Sequence, residues 1–359
     1  MQVDDCLSIN AGSALNPAPG FPRLVADIGG SNARFGWVTA TNAGVQHIRK
    51  LSVQDYRSPA VAANAYLRDL AREIGTPYQA PRRAAIAVAA MIDGDLVDLT
   101  NSGWQFSRSS LQAELALDEL LVLNDFEALA LSLPRLNASQ LRNDHGSIPA
   151  PQGTMAVIGP GTGLGVAGVV ETRHGWVVLP SEGGHATLSA ADDFESVLLA
   201  VTRKNYPHVS AERFLSGIGL PILHAAVSDV LGMPANASYL TAEQIIDRGL
   251  KVVDSGGGRG GDEAAEADAV CGKTLDVFCA QLGSFAGNVA LTLGARGGVY
   301  IGGGIVPRLG ERFFQSQFRE RFEAKGRFES YLKPIPTVVI TDTLAALTGA
   351  ALAIEQQGA

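Results

Sequence analysis

The chain has 359 residues, 46% of them hydrophobic, and a formal net charge of −8 at pH 7. Single cores stop growing near about 250–300 residues, so two domains are expected, with the apolar share of an ordinary globular protein. The acidic balance argues against nucleic acid as the main partner. The longest apolar run, Ala84–Ile92, falls well short of the roughly 20 residues of a membrane helix, so no membrane partner is expected either.

Residues 1–20 carry two acids and no basic cluster, so they read as a loose tail and not as a secretory leader. Cys6, Cys271 and Cys279 make no paired framework, and the expected compartment is the cytoplasm. The stretch Leu24–Val38, LVADIGGSNARFGWV, then predicts a buried strand running into Asp27, a turn through Gly29, Gly30, Ser31 and Asn32, and a second apolar strand after Arg34. The backbone N–H groups of such a turn form a nest for an anion. An acid at its entrance fits phosphate only if a hydrated Mg²⁺ lies between them, because Mg²⁺ keeps its waters and is held by one or two carboxylates plus phosphates. An ordinary Asx-type turn at Asp27 explains the same Asp, Gly and Asn.

Ala62–Ile74 has helical spacing, Ala84–Ala90 reads as a buried strand, Leu120–Asp125 as another, and Phe126–Leu133 as a helix that starts at once. Asn124 and Asp125 therefore stand at the carboxyl end of a strand, the edge at which open α/β sheets bind ligands. Both are also favoured helix N-caps. Further on, Gly159–Gly168 overlays Asp27–Gly36 at a constant offset of 132 positions, which suggests two related halves. Gly163, Gly165 and Gly168 spell G-x-G-x-x-G, but Val166–Pro180 predicts two strands around a turn at Arg173–Gly175 where a dinucleotide site needs a helix. A second phosphate-binding hairpin, or a plain one, remains.

In SEGGH, Ser181–His185, two glycines disfavour a helix, so Glu182 and His185 lie in a polar loop suited to reading hydroxyl groups or merely exposed. Glu212 is expected in the first turn of a helix starting at Ser210 or Ala211. The glycine-rich 254–269 segment reads as a solvated linker. Leu275, Phe278, Leu282, Phe285, Val289 and Leu293 mark one face of a long helix, Gly298–Gly304 a strand entering a glycine turn, and Asp342–Gln356 a terminal helix. The alternation favours an α/β architecture.

Read in order, DIGGSNAR (27–34), LTNSGWQFS (99–107), LNDFEA (123–128), GPGTGLGVA (159–167), SEGGH (181–185), HVSAERFLSG (208–217) and YIGGGIVPR (300–308) resemble the bacterial glucokinase family. The resemblance runs from about Phe21 to the C-terminus, with Ser31 and Ser181 as small departures. It implies a two-domain hexokinase/actin-like (ribonuclease-H-like, duplicated) α/β fold with a cleft between domains, one of 1–135 plus 341–359 and the other of 136–340. It implies transfer of the γ-phosphate of ATP, with Mg²⁺, to the 6-hydroxyl of glucose, and a homodimer. By this resemblance Asp27, Ile28, Gly29, Gly30, Ser31 and Asn32 form the first phosphate loop, with Asp27 holding the metal through water. Gly161, Thr162 and Gly163 form the second phosphate loop, and Gly302, Gly303 and Gly304 the adenosine-side turn. Asn101, Asn124, Asp125, Glu182, His185 and Glu212 match sugar-binding positions, and Asp125 matches the catalytic base. A kinase for another hexose, a polyphosphate donor, and a non-sugar actin-like ATPase stay open as alternatives. A sugar-responsive repressor would need an N-terminal helix-turn-helix that the first twenty residues do not offer.

Overall fold

The first apolar run forms strand β1 (Arg23–Ile28), which turns back into β2 (Asn32–Val38). The computed structural model describes residues 20–99, 103–143, 148, 150–233, 240–254 and 263–357. Asn101, Cys6 and residues 255–262 of the expected linker lie outside them. Strand β3 (Gln46–Ser52) pairs with β2, and the chain then crosses over through helix α1 (Pro59–Ile74) to β4 (Arg83–Val88), parallel to β1. Helix α1 ends at Ile74 as expected but starts at Pro59, three residues before the expected Ala62. Ser58 caps it by accepting from Val61 N, Pro59 occupies the first turn, and Gly75 at φ +72° ends it. A short hairpin, β5 (Leu96–Asp98) and β6 (Gln105–Ser107), and helix α2 (Arg108–Glu114) lead to β7 (Glu119–Asn124), parallel to β4. The sheet order is β3-β2-β1-β4-β7.

The same plan is then repeated. After helix α3 (Asp125–Ser132) and a short edge strand β8 (Leu141–Arg142), the strands β9 (Thr154–Pro160), β10 (Leu164–Thr172) and β11 (Gly175–Leu179) form an antiparallel meander. Strands β12 (Val299–Ile301) and β13 (Thr337–Ile340) follow in parallel, giving the order β11-β10-β9-β12-β13-β8. Position for position, β9 repeats β1, β10 repeats β2, β11 repeats β3, β12 repeats β4 and β13 repeats β7. The offset of 132 read from two glycine turns holds for the opening hairpins alone: the later strands of the second sheet are set back further by the helices inserted after β11. The turns differ in register by one residue: Ile28 faces Ala33, whereas Pro160 faces Leu164.

Each sheet has its own core. Leu24, Ile28, Phe35, Tyr66 and Leu70 belong to the first, and Ile158, Leu164, Phe214, Phe278 and Phe322 to the second. The helix Glu263–Leu293 buries Leu275, Phe278, Leu282, Phe285 and Val289, the face that the spacing predicts. The chain divides into one unit of residues 1–124 and 350–359 and another of 125–349. The resemblance puts the joints at 135/136 and 340/341 instead. Helix α3 goes with the second unit because it packs there: Phe126 lies on Gly159 and Gly165, Leu129 on Gly302, and the Ala128 carbonyl against Gly349 of the terminal helix Ala345–Gln356. Among the described residues, no helix is long and apolar enough to cross a membrane.

Candidate active site

In the first unit, strand pairing explains the acid at the glycine turn. Asp27 and Arg34 are direct cross-strand partners, and Arg34 Nη1 donates to Asp27 Oδ2 at 3.0 Å. The Asp27 side chain is only 14% exposed, so burial pushes its pKa above the ordinary carboxylate range, with Arg34 opposing that shift. The turn itself is closed by Gly29 N donating to Asn32 O at 2.9 Å, and Val53 N donates to Ser31 O at 3.0 Å. Ser31 is exposed at the tip, while Ile28 is buried. Asn124 ends β7 in this unit, and its Nδ2 donates to Ala90 O at 3.1 Å, which holds the amide against the end of β4.

The second unit brings together more of the expected residues. The turn Gly161-Thr162-Gly163 joins β9 to β10 and is braced from one side by the Glu212–Ile218 segment. Gly217 N donates to Gly161 O at 2.7 Å and Ile218 N to Thr162 O at 3.1 Å. Glu212 Oε2 accepts from Leu164 N at 2.9 Å, at the base of the turn. A Cβ on Gly163 would come within 2.5 Å of that same oxygen. His185 Nδ1 lies 4.0 Å from Glu212 Oε1. His185 and Glu182 are both exposed and bracket a single 3₁₀ turn, Gly183–His185, closed by His185 N donating to Glu182 O at 3.0 Å. Glu212 N in turn donates to Gly184 O at 2.9 Å, which fastens the two acid-bearing loops to each other.

The expected helix at Ser210 or Ala211 does not form; the next helix begins at Leu220. The backbone of this stretch is engaged elsewhere. Ala211 N bonds Ala186 O, Glu212 N bonds Gly184 O, and Gly217 and Ile218 bond the glycine turn, which leaves no run of helical bonds. Gly217 and Ile218 are the members of this site that sequence reasoning missed. Gly217 closes the stretch HVSAERFLSG, but nothing in that stretch tells that its N–H reaches the glycine turn.

The turn Gly302–Gly304 lies on the end of β9. Gly302 N donates to Ile158 O at 2.8 Å. Gly303 has φ +76°, and a Cβ there would meet Pro160 O at 2.3 Å, so this position requires glycine on both counts. Asp125 opens helix α3, and its Oδ1 accepts from Phe126 N at 3.0 Å. Among the described residues no group of three or more His, Cys, Asp or Glu could cage a metal ion.

A protein-family model for glucokinase matches residues 24–357. The chain belongs to the glucokinase family. It is 46% identical over 335 residues to the glucokinase of Aromatoleum aromaticum, across 93% of this chain and 95% of that one. It is 41% identical over 338 residues to the bifunctional protein glk of Paraburkholderia xenovorans, of which it spans about half (49%). The solved structure of a glucokinase from an Antarctic psychrotroph superposes with a TM-score of 0.80 at 38% identity, over 93% of this chain and 98% of that one. Like other members of the glucokinase family, the chain is an ATP-dependent enzyme that phosphorylates glucose, built on the duplicated two-domain α/β fold.

Proposed function

We propose that this glucokinase transfers the γ-phosphoryl group of ATP to the 6-hydroxyl of glucose with Asp125 as the proton acceptor. The observation that carries the reading is the Glu212 clasp: a carboxylate at a sugar-binding position accepts from Leu164 N, the first N–H beyond the glycine turn at a phosphate-binding position. A site that must align a hydroxyl with a phosphate gains from having the two holders share a hydrogen bond, because phosphoryl transfer through a loose transition state depends mainly on positioning and charge stabilisation.

In this reading Asn124, Glu182, His185 and Glu212 take the sugar hydroxyls, and Asn101 joins them. Carboxylates and amides that expect hydroxyl partners are left unpaired by an analogue lacking them, which makes them a selective set. The Asp125 carboxylate, aimed by Phe126 N, receives the 6-hydroxyl proton as oxygen attacks phosphorus. Gly29–Asn32 and Gly161–Gly163 offer backbone N–H groups to the phosphates, and Gly302–Gly304 faces the adenosine.

Asp27 fits a Mg²⁺ that arrives with its own waters and phosphates, since it presents a single buried carboxylate beside Arg34; the described residues do not fit an all-protein metal cage. When bound, Mg²⁺ neutralises charge on the phosphate oxygens. Asp27 and Arg34 keep each other oriented across the β1–β2 pair, which presents the carboxylate at the strand end without freedom to swing. The enzyme acts in the cytoplasm, as a homodimer. The test is ADP release across a hexose panel with ATP or polyphosphate and Mg²⁺. Glucose with ATP should give the highest kcat/KM, whereas turnover independent of any hexose would overturn the assignment.

A further inference from the structure

Gly159 and Gly165 are direct cross-strand partners on the β9–β10 hairpin, immediately below the Gly161–Gly163 turn. Facing Cβ atoms in an antiparallel pair stand about 4.5–5.5 Å apart, so two facing glycines open a notch two methyl groups wide and one deep. The Phe126 ring fills it. A Cβ on Gly159 would fall 2.4 Å from Phe126 Cζ, and one on Gly165 would fall 2.0 Å from Cδ2. Phe126 is the residue after Asp125, and its backbone N–H donates to Asp125 Oδ1 at 3.0 Å. Helix α3 has other anchors, with Leu129 on Gly302 and the Ala128 carbonyl on Gly349. Phe126 is half-buried and belongs to neither hydrophobic core. The ring is thus one of several contacts that hold the helix to the unit, and the one that fixes its first turn against the strands that carry the glycine turn.

We propose that Phe126 is a positioning residue, seating the Asp125 carboxylate in register with the Gly161–Gly163 turn through the Gly159–Gly165 notch. The inference rests on the reading of Asp125 as proton acceptor. Displacements of about 1 Å in such a group cost on the order of a hundredfold in rate, whereas substrate binding by other residues is untouched. A ring that only packed would affect melting and leave the turnover of folded enzyme alone.

Four variants test this: Asp125→Asn, Phe126→Leu, Gly165→Ala and the double variant Gly165→Ala/Phe126→Ala, each assayed for kcat, glucose KM, glucose binding by calorimetry and melting temperature. Phe126→Leu and Gly165→Ala should lower kcat by about ten- to a hundredfold, with glucose binding within about threefold of the parent. In the double variant the new methyl has no ring to strike, so its kcat should be no lower than that of Gly165→Ala alone, a non-additivity that marks direct contact. Phe126→Leu adds no clash and carries the test if Gly165→Ala does not fold. If Asp125→Asn abolishes turnover while the Phe126 and Gly165 variants keep kcat within twofold, the positioning role is wrong and the base assignment stands. If Asp125→Asn itself keeps near-parent kcat, the base assignment fails, and the positioning role fails with it.

Discussion

The two hairpins that begin the two sheets are the same object used in two ways. Both are antiparallel, both lead into a parallel strand, and both turn on glycine. At equivalent positions the first has Asp27 and the second has Gly159. The first thus keeps a carboxylate next to its turn and ties it to Arg34 across the ladder. The second has no side chain there, and a neighbouring helix puts a ring into the space. One hairpin contributes charge from its own strands. The other contributes clearance and takes its charge from outside, through Glu212 at the base of the turn and Asp125 on the helix that the notch receives. The same scaffold occurs twice, with the charged cross-strand pair Asp27–Arg34 in one copy and the bare pair Gly159–Gly165 in the other.

If that contrast is right, Asp27→Asn should give the largest loss of the hairpin variants: kcat down by about two decades or more, with glucose affinity unchanged by calorimetry, because charge placed where it develops in the transition state is commonly worth this much. Parent-like kcat would break the comparison at its first term. Glu212→Ala comes next. It removes the acceptor of Leu164 N, and kcat/KM for glucose should fall by roughly 5- to 150-fold, the equivalent of the about 1–3 kcal/mol that an unpaired buried donor costs. Gly163→Ala should reproduce part of that loss without touching the acid, because its Cβ would push Glu212 Oε2 away.

Gly161→Ala sharpens the contrast further. No atom lies within 4 Å of a Cβ there, so melting should stay within a degree or so, while the KM for ATP rises about tenfold if phosphate approaches that backbone. An unchanged KM would mean that the nucleotide passes elsewhere. The smallest expected effect is none at all. Cys271 and Cys279 are buried in the second core, and burial pushes their thiols to about 11 and about 12. In a Cys6→Ser background, native protein at pH 8 should not react with a thiol reagent, and labelling under denaturant should report the opening of the second unit alone. Prompt labelling of the native protein would show that this core opens far more readily than its packing indicates.

Much of this was legible from residue order. The two glycine turns, their common offset, and a strand followed at once by a helix near Asn124-Asp125 follow from apolar runs broken by turn residues, with the expected strand end at Asp125 and helix start at Phe126 each one residue late. The decoy dinucleotide pattern was resolved by what followed it, since a hairpin at Arg173–Gly175 cannot be a phosphate-binding helix. Two things were hidden. The stretch around Glu212 has the composition of a helix start, and only the carbonyls of Gly161, Thr162, Gly184 and Ala186, distant in sequence, draw its N–H groups away. Phe126 looks like any apolar residue in a first helical turn. That it fills a notch between two strands depends on a register that pairs Gly159 with Gly165, and register is a property of two segments at once.

The partition of the chain has a consequence for synthesis. The second unit is one continuous stretch, 125–349, whereas the first needs residues 350–359 as well as 1–124. Leu352 and Ile354 of that last segment are buried. On a ribosome adding about 5–20 residues per second, the first sheet waits roughly ten to forty-five seconds for the piece that completes it. The order of emergence and the order of completion are therefore opposite, and the nascent first unit passes that interval as the natural client of whatever shields unfinished chains.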